Sequence, residues 1–288
     1  MSEIEETARR LEGDGFDLYY VADHLGMPSP FPMLAAAAAA TTELRLGTLV
    51  CNNDFWNPVL LAREAATLAA LSGGRFELGL GAGHAEIEYH AAGIRYDRPA
   101  VRVSRLAEAV PTIVALLAGE TVTARGDNHE LVDATVGFDL PGRVPLLIGG
   151  NGDRLLELGA RTADTIGLTG FTSGTGQTHT NLSHFSWDGL AERVEHIRAS
   201  AGDRFDGIEI QVLVQQVSVG DRGELAARTA TTFDQPVDLV LDSPFVMLGS
   251  VDELVEHCVR LRQHGVTTLA AFSGRGAELL PPVIRKVK

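Results

Sequence analysis

Short apolar segments alternate with longer helical patterns along the chain of 288 residues, and this alternation most constrains the fold. Seven segments are rich in β-branched and aromatic residues or almost continuously apolar, which is typical of parallel strands covered on both faces. They are Asp17–Asp23, Leu44–Asn52, Phe76–Gly83, Val144–Gly150, Thr165–Gly170, Ile208–Gly220 and Thr267–Phe272. Strands that alternate with helices form right-handed crossovers, so the sequence predicts an α/β fold with a parallel sheet.

Two segments interrupt the alternation. Thr121–Asp139 alternates in polarity around Gly126-Asp127 and predicts a small hairpin. Phe171–Trp187 is rich in Gly, Ser, Thr and His, and a loop of this length is usually a functional lid or mobile. Since neither an internal repeat nor a low-complexity linker occurs, we predict one domain over residues 1–288.

Composition excludes several classes of partner. The chain has 24 basic and 38 acidic residues, a net charge of −14 that would repel a nucleic acid. Its longest apolar run, Met33–Ala40, is too short to span a bilayer. Cys51 and Cys258 are unclustered, which is typical of a reduced, cytoplasmic protein. We therefore expect a small-molecule partner.

Polar residues and glycines follow the predicted strands, where parallel α/β barrels carry their active sites. The residues at these ends are Asp23 and His24; Cys51 to Asp54; Gly81 to His84, with Glu86 and Glu88 beyond; Gly149 to Gly152; and Thr169 to Phe171. His24 fits a general acid or base oriented by a neighbour, and equally a hydrogen-bonded histidine beside a capping Asp23. Pairs such as Asp54 with His84 match no metal-binding spacing, so we expect no metal site.

Gly149-Gly150-Asn151-Gly152-Asp153-Arg154 connects an apolar strand to a helix. Small residues at a helix N-terminus let backbone amides approach an anion, so the segment fits a phosphate cradle. It also fits a tight strand-to-helix turn, because it matches neither a Walker loop nor a GxGxxG fingerprint.

Other conspicuous residues have structural interpretations. Trp56 and Trp187 are expected to pack in the interior. Charged residues of one helix are expected to form its solvated face. These are Glu192, Arg193, Glu195 and Arg198.

The chain resembles the bacterial-luciferase-like family of (β/α)8 TIM barrels and, within it, oxidoreductases that use the deazaflavin coenzyme F-420. The resemblance lies in GFDLYYVADHL (Gly15–Leu25), Leu44–Gly83, RVSRLAEAV (Arg102–Val110) and VPLLIGGNGDRLLELGARTAD (Val144–Asp164). MLGSVDELVEHCVRLRQHGVT is a weaker match. Together these segments span most of the chain.

The resemblance implies a flavin or deazaflavin at the C-terminal mouth of the barrel. The catalytic residues carried over are His24, which would lie near the reactive ring carbon, with Asp23, His84 and Glu88. The cofactor-binding residues would be Leu49 and Val50, joined by a non-proline cis peptide; Cys51, Asn52 and Gly83; and Gly150, Asn151, Gly152 and Thr169. Asn151 and Gly152 would bind the cofactor phosphate through their backbone.

Two departures from the family pattern matter. Sugar-phosphate dehydrogenases of the family place a glutamate proton donor where this chain has His84, and their basic phosphate-binding residues are not evident here. A sugar-phosphate substrate is therefore not expected. The helical segment Ile4–Leu11 also precedes the first recognisable strand, so the first barrel strand is expected to be missing.

Three hypotheses follow. The first is an oxidoreductase that exchanges a hydride between coenzyme F-420 and a small organic substrate. The second is an FMN-dependent monooxygenase. The third is a cofactor-free binding protein or non-redox enzyme on a remodelled barrel. Apolar outer helices and unpaired strand edges predict a homodimer.

Overall fold

The structure, a computed structural model, describes residues 3–173, 180–272 and 275–288. The chain divides into two compact units, Met1–Gly149 and Gly150–Lys288. The single domain over residues 1–288 stays a prediction.

The first unit is built on a parallel sheet with the order β1-β2-β4-β7, in which β3 continues β2 and also pairs with β4. Its strands are β1 (Leu18–Val21), β2 (Arg45–Thr48), β3 (Cys51–Asn52), β4 (Phe76–Gly81), β5 (Val122–Arg125), β6 (Glu130–Ala134) and β7 (Leu146–Gly149). Its helices are α1 (Glu3–Gly13), α2 (Pro30–Ala40), α3 (Pro58–Leu71), α4 (Glu86–Ala92) and α5 (Pro99–Leu117).

The strand β4 lies between β2 and β7 in this sheet and consists of buried residues. All six of its residues are buried, as expected for a parallel strand covered on both faces. One of them, Glu77, is charged, and it accepts a hydrogen bond from the Tyr20 hydroxyl at 2.6 Å and lies 3.5 Å from Arg45. A buried carboxylate needs such partners, so the three side chains join β1, β2 and β4.

A side-chain cap begins α3, and the predicted hairpin is confirmed. Asn57 accepts hydrogen bonds from the amides of Val59 and Leu60, and Pro58 opens α3. The antiparallel strands β5 and β6 form the hairpin, closed by the Gly126 amide donating to the carbonyl of His129.

The second unit contains a parallel sheet with the order β8-β11-β14 and a separate parallel pair, β12 and β13. Its strands are β8 (Thr165–Leu168), β9 (Thr172–Ser173), β10 (Thr180–Asn181), β11 (Glu209–Val214), β12 (Gln216–Val219), β13 (Val246–Gly249) and β14 (Thr268–Ala271). Its helices are α6 (Asp153–Thr162), α7 (Trp187–Ala201), α8 (Arg222–Phe233), α9 (Val237–Leu241), α10 (Val251–Gln263), α11 (Arg275–Leu279) and α12 (Pro281–Val287).

Each of the seven predicted strand segments contains a strand, with two corrections. Leu44–Asn52 is not one strand but divides into β2 and β3. Ile208–Gly220 is not one strand, because it divides at Gln215 into β11 and β12. The Gln215 amide donates to the Phe245 carbonyl. From this residue on, the chain leaves the β8-β11-β14 sheet and pairs, as β12, with β13. Of the predicted loop Phe171–Trp187, residues 174–179 lie outside the described residues.

Candidate active site

In the first unit, three side chains from two strand ends and one helix form an acid–base cluster, His24, His84 and Glu88. His24 follows β1, His84 follows β4, and Glu88 lies in the first turn of α4. His24 Nδ1 is 2.7 Å from Glu88 Oε1, and the two imidazole rings meet edge to face with centroids 5.5 Å apart. The structure thus brings together three of the four predicted catalytic side chains.

Burial and charge set the protonation of this cluster. The side chain of Glu88 is 14% exposed and that of His24 37% exposed. Burial lowers the pKa of His84, and the neighbouring His24 lowers it further. His84 is therefore neutral at neutral pH, and the neighbouring His24 ring is oriented by its contact with Glu88.

Asp23 has a different partner from the one its sequence position favours. Its Oδ2 accepts a hydrogen bond from the Trp56 indole at 2.8 Å and one from the Asn52 amide at 3.3 Å. The carboxylate that orients His24 is Glu88, while Asp23 holds the segment that follows β3. Trp56 also packs edge to face against Phe31, so its predicted packing role is accompanied by a polar contact.

The peptide bond between Leu49 and Val50 is cis, as the resemblance implies. The Val50 side chain lies against the ends of β4 and β7. A Cβ at Gly81 would be 2.6 Å from Val50 Cγ2, and one at Gly149 would be 2.8 Å from Val50 Cγ1. Both strand ends therefore require glycine.

Cys51, the residue that follows this cis peptide bond, is fully buried. Burial raises the pKa of its thiol, and the charge of Asp23 raises it further. The thiol stays protonated at neutral pH, which excludes it as a nucleophile.

Tyr89 connects Asn52 and Gly83, and sequence reasoning did not identify it. Its buried hydroxyl lies 3.1 Å from Asn52 Oδ1 and 3.2 Å from Asp54 Oδ2, and a Cβ at Gly83 would overlap both this hydroxyl and the Asn52 amide. Gly83 also has φ +73°, a conformation that favours glycine. Its position next to Glu88 was a signal for a role in the site. The helix α4, which contains both residues, was not predicted, so this signal was not used.

Two arginines support the same region from α5. Arg105 donates to Asp54 at 2.9 Å and also to Asp97. Arg102 is buried, and its Nε lies 3.2 Å from the Ala82 carbonyl and 3.3 Å from that of Gly83. Both guanidinium groups are thus held by protein groups behind the acid–base cluster.

In the second unit, Gly150, Asn151 and Gly152 form the turn that leads into α6. Gly150 has φ +149°, its amide donates to the Gly167 carbonyl at 2.9 Å, and Gly152 is the N-cap of α6. Asn151 is only 2% exposed. Its Nδ2 donates to His184 Nδ1 at 3.2 Å, while its buried Oδ1 has no hydrogen-bond partner among the described residues.

Arg193 corrects the prediction that its helix face is solvated. Its side chain is 7% exposed and donates to Asp153 in the first turn of α6 and to Glu192. Burial lowers the pKa of His184, and the Arg193 charge lowers it further, so His184 is neutral and accepts from Asn151. Sequence reasoning left His184 in a polar loop and missed this contact.

Thr169 follows β8, and its hydroxyl donates to the Phe171 carbonyl at 3.1 Å. Within the described ranges, histidine, cysteine and acidic side chains form no group that could hold a metal ion. Across the same ranges, every helix is too short or too polar to cross a membrane.

Comparisons with known proteins complete the description of the site. A family model described as luciferase-like monooxygenase matches residues 1–257. The 5,10-methylenetetrahydromethanopterin reductase of Archaeoglobus fulgidus is 33% identical over 164 residues, which are 57% of this chain and 48% of the reductase. The chain thus spans about half the length of that relative. The F420-dependent glucose-6-phosphate dehydrogenase of Nakamurella multipartita is 31% identical over 269 residues, covering 88% of this chain and 76% of the dehydrogenase.

Solved structures show the fold. An F420-dependent secondary alcohol dehydrogenase, solved with an F420-acetone adduct, matches with a TM-score of 0.81 and 20% identity over 99% of this chain and 94% of its own. This likeness confirms the predicted fold class, the luciferase-like (β/α)8 type.

Proposed function

Because the chain belongs to the luciferase-like monooxygenase family, we propose that it is an oxidoreductase that transfers a hydride between coenzyme F-420 and a small organic substrate. The observation that carries this proposal is the acid–base cluster. Reduction of a carbonyl, or oxidation of an alcohol, moves a proton as well as a hydride, so the site needs a proton carrier. The names of the two sequence relatives and of the solved alcohol dehydrogenase support the choice of reaction and cofactor.

The residues present fit such a cofactor. In the first unit, the residues proposed to hold the ring are Leu49, Val50, Cys51, Asn52 and Gly83. The absence of a Cβ at Gly83 leaves room for the Tyr89 hydroxyl and the Asn52 amide. In the second unit, Gly150, Asn151, Gly152 and Thr169 are proposed to bind the phosphate. The N-terminus of α6, where Gly152 is the N-cap, supports that assignment. Coenzyme F-420 would supply the carbon that gives or takes the hydride.

We propose that His24 exchanges the proton with the substrate oxygen. Since Nδ1 is held by Glu88, Nε2 is the nitrogen that exchanges it. The Glu88 carboxylate fixes the orientation of the ring and stabilises the imidazolium that forms when His24 takes up a proton. Asp23 acts through the backbone of Asn52, as a positioning residue.

His84 is proposed as a second, neutral imidazole beside His24. Its lowered pKa keeps it uncharged when His24 carries the proton. His84 thus adds no charge at the position where the sugar-phosphate dehydrogenases of the family have a glutamate.

The substrate class follows from the charges around the cluster. Arg102 and Arg105 are engaged by backbone carbonyls and by carboxylates, so neither is available to a substrate phosphate. Leu25 and Ile87, the neighbours of His24 and Glu88 in the chain, are 46% and 70% exposed. We propose a small, neutral alcohol or carbonyl compound with an apolar substituent.

The test follows the absorbance of coenzyme F-420. Oxidised cofactor is incubated with small secondary alcohols, and reduced cofactor with the matching ketones, with glucose-6-phosphate as the anionic comparison. The proposal predicts turnover with neutral compounds and none with the sugar phosphate. A protein that binds the cofactor but turns over only the sugar phosphate would contradict the substrate class.

FMN-dependent oxygenation is the second candidate, because the matching family model describes luciferase-like monooxygenases. The same preparation distinguishes the two. A protein that retains FMN through purification and consumes oxygen with reduced FMN would replace the first proposal with this one.

We also propose that the protein is cytoplasmic and forms a homodimer. Leu60 and Leu71 of α3 and Val114 of α5 are 47%, 65% and 40% exposed, an apolar character that supports association. A monomeric mass in sedimentation equilibrium at micromolar concentration would contradict the dimer.

A further inference from the structure

His184 occupies a position beside the proposed phosphate site that the proposed reaction does not explain. It lies after β10, in the segment before α7, and its ring nitrogen Nδ1 accepts a hydrogen bond from Asn151 Nδ2 at 3.2 Å. The other end of the same amide, Oδ1, is buried and unpartnered among the described residues. An unpartnered buried acceptor is costly, so this end of Asn151 is poised for a change of partner.

We propose that His184 is a positioning residue for the cofactor phosphate, and that phosphate binding is accompanied by the uptake of one proton at His184 Nδ1. This inference rests on the proposed function, because it takes the 150–152 turn as the phosphate site.

The orientation of Asn151 explains the coupling. When His184 is neutral, its Nδ1 is an acceptor. Asn151 therefore directs its amide nitrogen to the ring, and its amide oxygen has no partner among the described residues. A phosphate only accepts hydrogen bonds, so an amide oxygen beside it would repel it and weaken its binding. Nδ1 also lies 3.3 Å from the Ser183 hydroxyl, which can donate to the neutral ring or accept from the charged one and so fits both states. The amide nitrogen of Asn151 can only donate, so when Nδ1 is protonated the amide turns its oxygen to the ring and its nitrogen to the phosphate.

A change of tautomer without proton uptake is disfavoured by Glu192. In the neutral ring that accepts at Nδ1, the hydrogen is on Nε2, which lies 3.8 Å from Glu192 Oε1. Moving that hydrogen to Nδ1 would turn a lone pair on Nε2 towards a carboxylate. Protonation keeps the hydrogen on Nε2 and adds one on Nδ1, so the imidazolium satisfies both neighbours.

The charges facing His184 favour its neutral form when the phosphate is absent. Arg193 of α7 opposes the imidazolium, while Glu192 of α7 and Asp153 of α6 favour it. Arg193 is itself paired with Asp153 and Glu192, so these two carboxylates are partly neutralised. Burial further lowers the pKa of the ring. A bound phosphate would reverse this balance by adding negative charge beside Asn151.

The experiment measures cofactor binding against pH with catalysis absent. Dissociation constants for coenzyme F-420, and for the same deazaflavin lacking its phosphate, are determined by fluorescence between about pH 8 and about pH 6. For the phosphate-bearing cofactor, Kd should fall as the pH is lowered, by at most about tenfold per pH unit, the limit for uptake of one proton. The deazaflavin without phosphate should show no such dependence, which separates His184 from the histidines of the first unit.

Two variants complete the design. His184→Gln cannot take up the proton, so its Kd should be independent of pH. His196→Gln, on α7 of the same unit, should keep the wild-type dependence, since its Nε2 lies 3.9 Å from Glu157. The nuclear magnetic resonance titration of His184 in the wild-type protein provides a second readout, and its midpoint should rise when coenzyme F-420 is added.

A Kd that does not change with pH in the wild type, or that changes equally in His184→Gln, would overturn the coupling. An unmoved His184 midpoint in a protein saturated with coenzyme F-420 would do the same. Absence of F-420 binding at every pH would overturn the proposed function itself, and this inference with it.

Discussion

His24 and Glu88 are 64 positions apart, yet the sequence assigns both to the site. The contact between them was not predictable, because Asp23, the residue next to His24, was an equally plausible partner for its ring. Adjacent side chains along an extended backbone point to opposite sides, and here Asp23 reaches Trp56 while His24 reaches Glu88. The residue types at the strand ends are thus predictable, whereas their contacts depend on the sheet register and on α4.

His24 is the residue whose removal should affect turnover most. We expect His24→Gln to lower kcat by about 10²–10⁴-fold, the usual contribution of a general acid or base, with F-420 affinity unchanged. The matched control is His90→Gln, because the His90 side chain lies on α4 and is 67% exposed. Steady-state kinetics with a binding titration of each variant checks this. Equal rates for the two variants would remove His24 from the mechanism.

Gly83 tests the packing behind the cluster, and Gly93 is its natural control. Both have positive φ, +73° and +70°, but a Cβ at Gly83 overlaps Tyr89 and Asn52 whereas one at Gly93 meets nothing within 4 Å. Gly93→Ala should cost about 1 kcal/mol of unfolding free energy through φ alone. Gly83→Ala should cost about 1–3 kcal/mol more through overpacking. Urea denaturation measures both, and equal losses would show that Gly83 is not tightly packed.

Among the elements, the predictable ones are those whose local signals agree with their tertiary environment. The sequence of α3 (Pro58–Leu71) combines a capping Asn57 before the helix, a proline at its first position and an apolar face, so its local signals agree with the helix that forms. The strand β13 was missed, although all four of its residues are buried, because a short apolar run does not distinguish a strand from a buried helix. Its partner β12 was merged with β11, since only the long-range contact of Gln215 with Phe245 separates them.

The packing of α10 against the segment before β13 should make stability depend on pH. His257 of α10 donates from Nε2 to the Pro244 carbonyl at 3.0 Å, and burial lowers its pKa to about 4. The folded state therefore binds this proton less tightly than the unfolded state, whose histidine has a pKa of about 6.5. The contribution of His257 to the free energy of unfolding is fully present above about pH 6.5 and is lost progressively as the pH falls towards 4.

Between about pH 7.5 and about pH 5, this group should account for about 2 kcal/mol of lost unfolding free energy. His257→Gln should be less stable at the higher pH but should lose about that much less on acidification. Urea unfolding at the two pH values measures the difference, and His90→Gln should behave as wild type. An identical pH dependence in His257→Gln would show that another group is responsible.

For the whole molecule, charge sets a condition on the proposed cofactor. A net charge of −14 opposes the approach of an anionic ligand, so binding must come from local groups such as the start of α6 and Asn151. Composition predicted this charge and excluded a nucleic-acid partner, and the family and fold class were recognisable from strand-end motifs. The Asn151–His184 contact was beyond sequence reasoning, because it joins a strand-end turn to a loop far along the chain.

Equilibrium binding of coenzyme F-420 to the purified protein, with FMN measured in parallel by calorimetry, tests the central claim most directly. We predict F-420 binding with a Kd on the order of micromolar and FMN binding at least about tenfold weaker. Absence of F-420 binding at concentrations of about 100 μM, or tighter binding of FMN, would contradict the assignment of this protein as an F-420-dependent oxidoreductase.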